Sequence, residues 1–389
     1  EKVEELSKPD ELRRVLKIGK EQVEHGLELH QKSIVIDGMA VDPSFRPYTK
    51  EMVKKANEMI EAGEQPDEMT SAMTRMRAEA VLRDPDFQRE CVDALNKAGV
   101  TCMIGGTELF GNQDDLRSGL STWSRGTCKL NAIRVNGAPV YLRATSAQDI
   151  RRAKREGRTA SLPHSSNTLI IDRDLGNLDT LYCLGIRAMQ LTYNLRNYVG
   201  VGCTDRYEKE AGLSYWGILV VDRMNELGML VDLAHVGTKT TLDAAEASKS
   251  PIIITHGSCR SVYDHARGHT DEAIKAVAET GGVVGMMNVP YFIADKLTDE
   301  TIKDYLDQID YAVKLVGVKH VGIGTDNFYR GTDPPDALFD LYNRERQKDF
   351  RQKRMSEFWT GFRAEHRREA RWYPIPDDNL MSWVNWPNI

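Results

Sequence analysis

Two short apolar runs each end in a histidine, Met229-Leu-Val-Asp-Leu-Ala-His235 and Pro251-Ile-Ile-Ile-Thr-His256. Runs of this kind read as strands buried on both faces, and an imidazole at the exit of such a strand stands where a parallel sheet opens to solvent. Two imidazoles on successive strands can face one cleft, where they would act as metal ligands or as acid and base. A single histidine after a strand is ordinary in a loop or a core. The repetition makes the pair a candidate site.

The rest of the chain supplies elements to position them. Ser33–Asp37 reads as a β-branched strand turning at Asp-Gly, Gly99–Ile104 as a second strand, and Thr159–Pro163 as a poorer third because of its serine and proline. Ile186–Tyr193 is the fourth, the two histidine-tipped runs are the fifth and sixth, and Gly282–Asn288 and His320–Asp326 complete eight. Helical segments lie between them at Leu175–Leu184, Ser214–Leu227, Thr238–Ala247, Asp271–Thr280 and Thr301–Val316, several opening with a capping Ser, Thr or Asp. Strands alternating with helices imply parallel pairing and right-handed crossovers. Eight of them favour an α/β fold closed as a (β/α)8 TIM barrel, one domain over residues 1–389 with a charged outer helix within 1–32 and a helical insertion at 43–99.

In such a barrel the residues just past the strand ends line the site. They are Met39, Val41 and Asp42, then His164 and Ser166, Tyr193 and Asn194, and finally His235, His256, Asn288 and Asp326.

Composition narrows the partners. A net charge of −6 argues against a general nucleic-acid binder, and the basic stretch 343–371, interrupted by Glu and Asp, reads as a solvated helix. The six cysteines are scattered with no C-x-x-C pair, so each reads as a free thiol rather than part of a zinc knuckle or redox motif. No apolar stretch approaches the roughly 18–20 residues that span a bilayer. The chain starts at Glu1, so a preceding leader is compatible with the sequence and the compartment stays open.

The segments Gly212-Leu-Ser-Tyr-Trp-Gly217 and Met224-Asn-Glu-Leu-Gly-Met-Leu-Val-Asp-Leu-Ala-His-Val236, followed in register by Ile254-Thr-His-Gly-Ser258, by Arg267 with Asp271, and by Gly322-Ile-Gly-Thr-Asp326, carry a resemblance. Over about Leu184–Asp326 the chain resembles the membrane dipeptidase (renal dipeptidase-like) family of the amidohydrolase superfamily. The resemblance implies a barrel hydrolase with a dinuclear zinc centre. In it His235 and His256 correspond to two histidines on one ion, Arg267 to an arginine that holds the substrate carboxylate, and Asp326 to the acid ending the last strand. Zinc takes imidazole and carboxylate ligands and lowers the pKa of bound water to about 7.

The pattern also breaks. The His-x-Asp pair ending the family's first strand is matched here by Met39 and Val41, with Asp42 one residue on and so on the other face. The family's bridging glutamate is matched by Ser166. His164, two residues earlier and on the same face, is a candidate replacement ligand. Its nitrogen would have to converge with those of His235 and His256 so that one zinc sat about 2.0–2.1 Å from each. Tyr193 stands where many members have a histidine, and a phenol can still donate to a developing oxyanion. The chain stops at Ile389, near where the family continues into a helical segment, so its C-terminus reads as incomplete or its barrel as differently closed.

Three readings follow. The first is a hydrolase of a dipeptide or small N-acylated amino acid holding at most one zinc ion on His235 and His256, with Asp326 and Tyr193 catalytic and Arg267, His164 and Asn288 binding substrate. The second is a metal-free enzyme performing elimination or isomerisation on a small carboxylate. The third is a non-catalytic binding protein on the same scaffold. A homodimer is left open by the resemblance.

Overall fold

The computed structural model describes residues 16–45, 48–109, 115–205, 207–289, 292–294 and 302–328. The basic stretch 343–371 and the C-terminal end lie outside the described residues.

Eight parallel strands form the barrel: β1 (Ile36–Val41), β2 (Cys102–Leu109), β3 (Thr159–Ser165), β4 (Ala188–Gln190), β5 (Leu230–Asp232), β6 (Ile253–Gly257), β7 (Val283–Met286) and β8 (Val321–Ile323). Each pairs with its sequence neighbour, and β8 returns to β1 with Ile323 opposite Asp37. The sheet is therefore a closed (β/α)8 barrel, which leaves no unpaired edge among those strands. A short strand, Tyr141–Arg143, pairs with β3 outside this ring.

The helices are α1 (Lys20–Lys32), α2 (Lys50–Glu61), α3 (Pro66–Arg83), α4 (Pro85–Ala98), α5 (Leu116–Ala132), α6 (Ala147–Glu156), α7 (Gly176–Cys183), α8 (Tyr215–Leu227), α9 (Thr238–Ala247), α10 (Asp271–Glu279) and α11 (Ile302–Val316). Their starts are set by side-chain caps: Thr49 on α2, Asp84 on α4, Ser146 on α6, Ser214 on α8 and Thr270 on α10 each accept a backbone N–H of the first turn. The largest core lies between β4–β8 and helices α7–α11, including Leu181, Val220, Met224, Val231, Ile254, Ile274 and Val284, all essentially sealed. Each such side chain contributes about 1.5–3 kcal/mol of burial. Helices α2 and α3 pack a methionine-rich cluster of their own from Met52, Met59, Met69 and Met73. Among the described residues no helix is long and apolar enough to cross a membrane.

Three strands differ from the sequence expectation, β2 by running past Ile104 through Gly105-Gly106 to Leu109. β1 does not turn at Asp37-Gly38 but runs through it to Val41. Asp37 accepts the N–H groups of Met39 and Thr325 and the Thr325 hydroxyl, which ties β1 to the end of β8 inside the barrel. Gly38 is there for close approach. A Cβ on Gly38, Gly285 or Gly324 would lie 2.3, 2.2 or 1.8 Å from the Thr255 carbonyl oxygen, so three strands reach β6 only as glycine. β3 runs on past Pro163 to Ser165 and is buried throughout. The β2–β3 ladder is interrupted between the Ile104–Leu162 and Leu109–His164 pairs, which is where Pro163, lacking an N–H, sits.

Candidate active site

At the C-terminal ends of β4, β5 and β8 the chain bends out of the strand through residues in the left-handed region: Asn194 at φ 61°, His235 at 59° and Asp326 at 56°. Such conformations cost about 1–3 kcal/mol each and persist where the surroundings fix them. Asn194 is fixed by its carbonyl, which accepts the N–H and hydroxyl of Thr204. Gly202 lies so close that a Cβ there would fall 2.2 Å from the Asn194 carbonyl carbon. Asp326 N donates to the Met39 carbonyl at 2.9 Å.

The two imidazoles meet. His235 Nε2 and His256 Nε2 are 3.0 Å apart, and both residues are buried. Their other nitrogens are spoken for. His235 Nδ1 faces Asn194 Oδ1 at 2.6 Å, an acceptor that also takes the Cys203 thiol at 3.5 Å, so Nδ1 donates. His256 Nδ1 faces Thr255 Oγ1 at 2.8 Å, and that hydroxyl gives its single proton to Asp232 Oδ2 at 2.7 Å. His256 Nδ1 therefore donates as well. Burial pushes the Asp232 carboxyl up, but the hydrogen bonds from His164 and the Thr255 N–H outweigh it and hold it at about 2, so it accepts only. Both Nε2 atoms consequently carry bare lone pairs directed at one another. Burial, and then the Arg267 charge, hold both imidazoles well below their ordinary pKa.

Tyr193 stacks on His235 with ring centroids 4.2 Å apart. Burial and then the Asp326 charge push its phenol up to about 12, so it remains an O–H donor. Burial raises the Asp326 carboxyl to about 6, against the Arg267 charge and with a smaller push from Asp37. Arg267 is 1% exposed; its Nη2 donates to the His256 carbonyl at 3.4 Å, while Nε and Nη1 have no partner among the described residues. Its loop is anchored by Arg260, which pairs with Glu208 at 3.2 Å and donates to the carbonyls of His265 and Ala266. Asn288, buried beyond β7, donates its backbone N–H to Thr325 O.

His164 departs from expectation. His164 is fully buried and gives its Nε2–H to Asp232 Oδ2 at 2.9 Å, so that nitrogen is not available to join His235 and His256 on a metal ion. Its register partner Ala188 presents only a methyl, leaving room to reach β5. A three-histidine zinc site is thereby corrected. Among the described residues no three His, Cys, Asp or Glu side chains are grouped to hold a metal ion. Asp42 accepts the Ser44 N–H and hydroxyl and pairs with Lys129 at 3.5 Å, so it does not replace the missing first-strand ligand. Asn194, Asp232 and Thr255 carry the histidines and were not singled out from sequence for that role. Their only signal was position, each lying within three residues of a strand-end histidine or tyrosine.

The family model for membrane dipeptidase (peptidase family M19) matches residues 135–344, just over half of the chain. The chain belongs to the membrane dipeptidase family. It is 36% identical over 164 residues to an uncharacterized dipeptidase of Schizosaccharomyces pombe and 32% identical over 185 residues to dipeptidase verJ of Clonostachys rogersoniana. The first match covers 40% of this chain and the second 47%, and they span only 38% and 47% of those relatives. An amidohydrolase from Pseudomonas aeruginosa has the same fold, with a TM-score of 0.62 at 24% identity over 93% of this chain and 89% of that one.

The bare nitrogens of His235 and His256 converge, but Met39, Val41 and Ser166 contribute no charged ligand at the positions that resemble the family's remaining ligand sites.

Proposed function

We propose that the chain is a hydrolase of dipeptides or small N-acylated amino acids with a reduced metal centre, at most one zinc ion held by His235 and His256. The observation that carries this reading is the pair of bare Nε2 lone pairs 3.0 Å apart beside Arg267, a buried guanidinium with two N–H-bearing nitrogens to spare. Lone pairs at that distance repel unless a cation lies between them, and zinc accepts imidazole nitrogen. When bound, zinc supplies a Lewis acid that polarises a carbonyl and acidifies water.

The chain's own residues do the rest. Arg267 pairs with the substrate carboxylate through its spare N–H groups, which fixes the scissile amide relative to the strand ends. Tyr193 O–H donates to the oxygen of that amide as it gains negative charge. Asp326, near 6, accepts a proton from the attacking water and returns it to the leaving amine. Asn288 borders the same mouth and contributes to substrate binding.

The test is zinc content together with dipeptide hydrolysis. We expect up to one equivalent of zinc, lost along with activity in His235→Ala. In Arg267→Lys the KM rises about 10- to 100-fold, the equivalent of losing about 1.5–3 kcal/mol of charge-assisted hydrogen bonding, while zinc content stays unchanged. Turnover by a zinc-free preparation would favour metal-free acid–base chemistry at Asp326 and Tyr193 and overturn the metal half of the proposal. Two tightly bound zinc ions, or ligand binding without turnover, would overturn the rest.

A further inference from the structure

Arg267 sits in the loop 258–270 between β6 and α10, and a second arginine of that loop, Arg260, braces it from within. Its guanidinium has three acceptors. Nε donates to the His265 carbonyl at 3.2 Å, Nη2 to the Ala266 carbonyl at 3.3 Å and Nη1 to Glu208 Oε1 at 3.2 Å. The two carbonyls belong to the residues just before Arg267, whose own N–H donates to His265 Nδ1 at 3.1 Å. The base of the loop is closed as well, with Arg260 N donating to the His269 carbonyl and His269 N to the Ser258 carbonyl. The Arg260 and Glu208 side chains are 15% and 13% exposed, so removing either leaves the other charge largely buried without its partner.

Glu208 comes from a different loop, the connection from β4 to α8, and its carboxylate has a second task. Oε2 accepts Thr238 N at 3.2 Å, the first N–H of α9. The N-cap of α9 is Gly237, which has no side chain to do this; a Cβ there would lie 3.0 Å from the Val201 carbonyl oxygen and 3.2 Å from Glu208 Cβ. Gly237 is two residues past His235. One carboxylate therefore ties the exit of the His235 strand to the loop that carries Arg267.

We propose that Glu208 and Arg260 are positioning residues: their ion pair fixes the reach from Arg267 to His235, and with it the selectivity for substrates that end in a free carboxylate. A substrate anchored at its carboxylate presents its scissile carbonyl at a set distance from the anchor, so the anchor must stand at the matching distance from the histidines. Neither residue contacts substrate. Glu208 acts through Arg260, and Arg260 through the backbone that precedes Arg267. The planar fork of a guanidinium suits this task, since it meets three acceptors in fixed directions and an ammonium does not.

This inference rests on reading Arg267 as the carboxylate anchor of a hydrolase, so its experiment pairs a readout that needs turnover with one that does not. The first is the ratio of kcat/KM for glycyl-L-alanine to that for glycyl-L-alaninamide, which lacks the carboxylate. In Arg260→Met the ratio falls at least about tenfold through the KM of the free acid, since a misplacement of about 1 Å can cost about 100-fold. The amide keeps its KM. Glu208→Ala has the same effect, and adding it to Arg260→Met lowers the ratio no further, as expected of residues acting in series. The second readout is labelling of Arg267 by phenylglyoxal in the ligand-free full chain, followed by peptide mass spectrometry. Arg267 is 1% exposed and labels slowly in the wild type; both variants label it severalfold faster, with labelling of Arg187 at the far end of β4 unchanged. Arg260→Lys, which keeps the charge without the fork, repeats both measurements if the methionine variant does not fold. Unchanged Arg267 labelling in the folded variants overturns the proposal. So does an equal loss for acid and amide, or an unchanged ratio where the wild type turns the dipeptide over. A wild type that hydrolyses neither compound overturns the hydrolase reading instead, and the labelling then decides whether the pair holds Arg267 in place.

Discussion

Thr255→Val removes a single oxygen from the barrel interior and replaces it with a methyl of nearly the same volume. The lost hydroxyl donates to the Asp232 carboxylate at 2.7 Å and accepts from His256 Nδ1 at 2.8 Å, and Thr255 is 2% exposed, so water cannot replace either bond. Losing a hydrogen bond to a charged acceptor costs about 1.5–3 kcal/mol, and stranding the buried His256 N–H about 1–3 kcal/mol more. The added apolar group returns about 1 kcal/mol. The net destabilisation is about 2–5 kcal/mol. Thr255→Ser keeps the hydroxyl and loses only a methyl, so its cost should be about 1 kcal/mol. Equilibrium urea unfolding of the three proteins, compared at equal m-value, measures both differences. A Val variant within about 1 kcal/mol of wild type, or a Ser variant less stable than the Val variant, would refute the assigned hydrogen-bond line.

Asp326 and Asp232 should titrate in opposite senses. Asp326 is raised to about 6, so its contribution to stability is full below the unfolded value of about 3.9 and is lost as pH rises through 6; Asp326→Asn should therefore be relatively more stable than wild type above pH 6, as read by thermal melts across pH. Asp232 is held at about 2, so its contribution is present above about 3.9 and is lost as pH falls toward 2, which places it among the causes of acid unfolding. In catalysis, the same Asp326 predicts a limb in the kcat/KM profile near pH 6 that disappears in Asp326→Asn. Gly38→Ala forces a methyl to 2.3 Å from one backbone oxygen and 3.2 Å from another, neither of which can rotate away. Its destabilisation should reach at least about 1–3 kcal/mol, and a variant as stable as wild type in the same urea assay would show that β1 and β6 do not approach as closely as described.

Much of the fold is written locally. Each of the eight barrel strands overlaps a strand read from the sequence, and all but β3 do so on an apolar run, because a strand sealed between helices and a barrel interior is mostly apolar along its length. Helix starts were legible for the same kind of reason, since Ser214 and Thr270 cap by reaching their own first turn. The strand ends His235, His256 and Asp326 follow from topology, because residues leaving a barrel strand at its C-terminal end face the mouth whatever their partners are. What the sequence could not determine is where side chains go once inside the ring. Asp37-Gly38 has the local chemistry of a turn, yet becomes strand because the Thr255 carbonyl, 217 positions away in the chain, occupies the space a Cβ would need. His164 shares a strand face with Ser166 and so looked like a ligand. Tertiary structure instead gave it a buried carboxylate two strands across, a stronger claim on an imidazole N–H than an open mouth. The direction of the His235 and His256 lone pairs was likewise decided there. A residue type says which atoms can donate or accept, but only the count of partners around Asn194, Thr255 and Asp232 says which of them do.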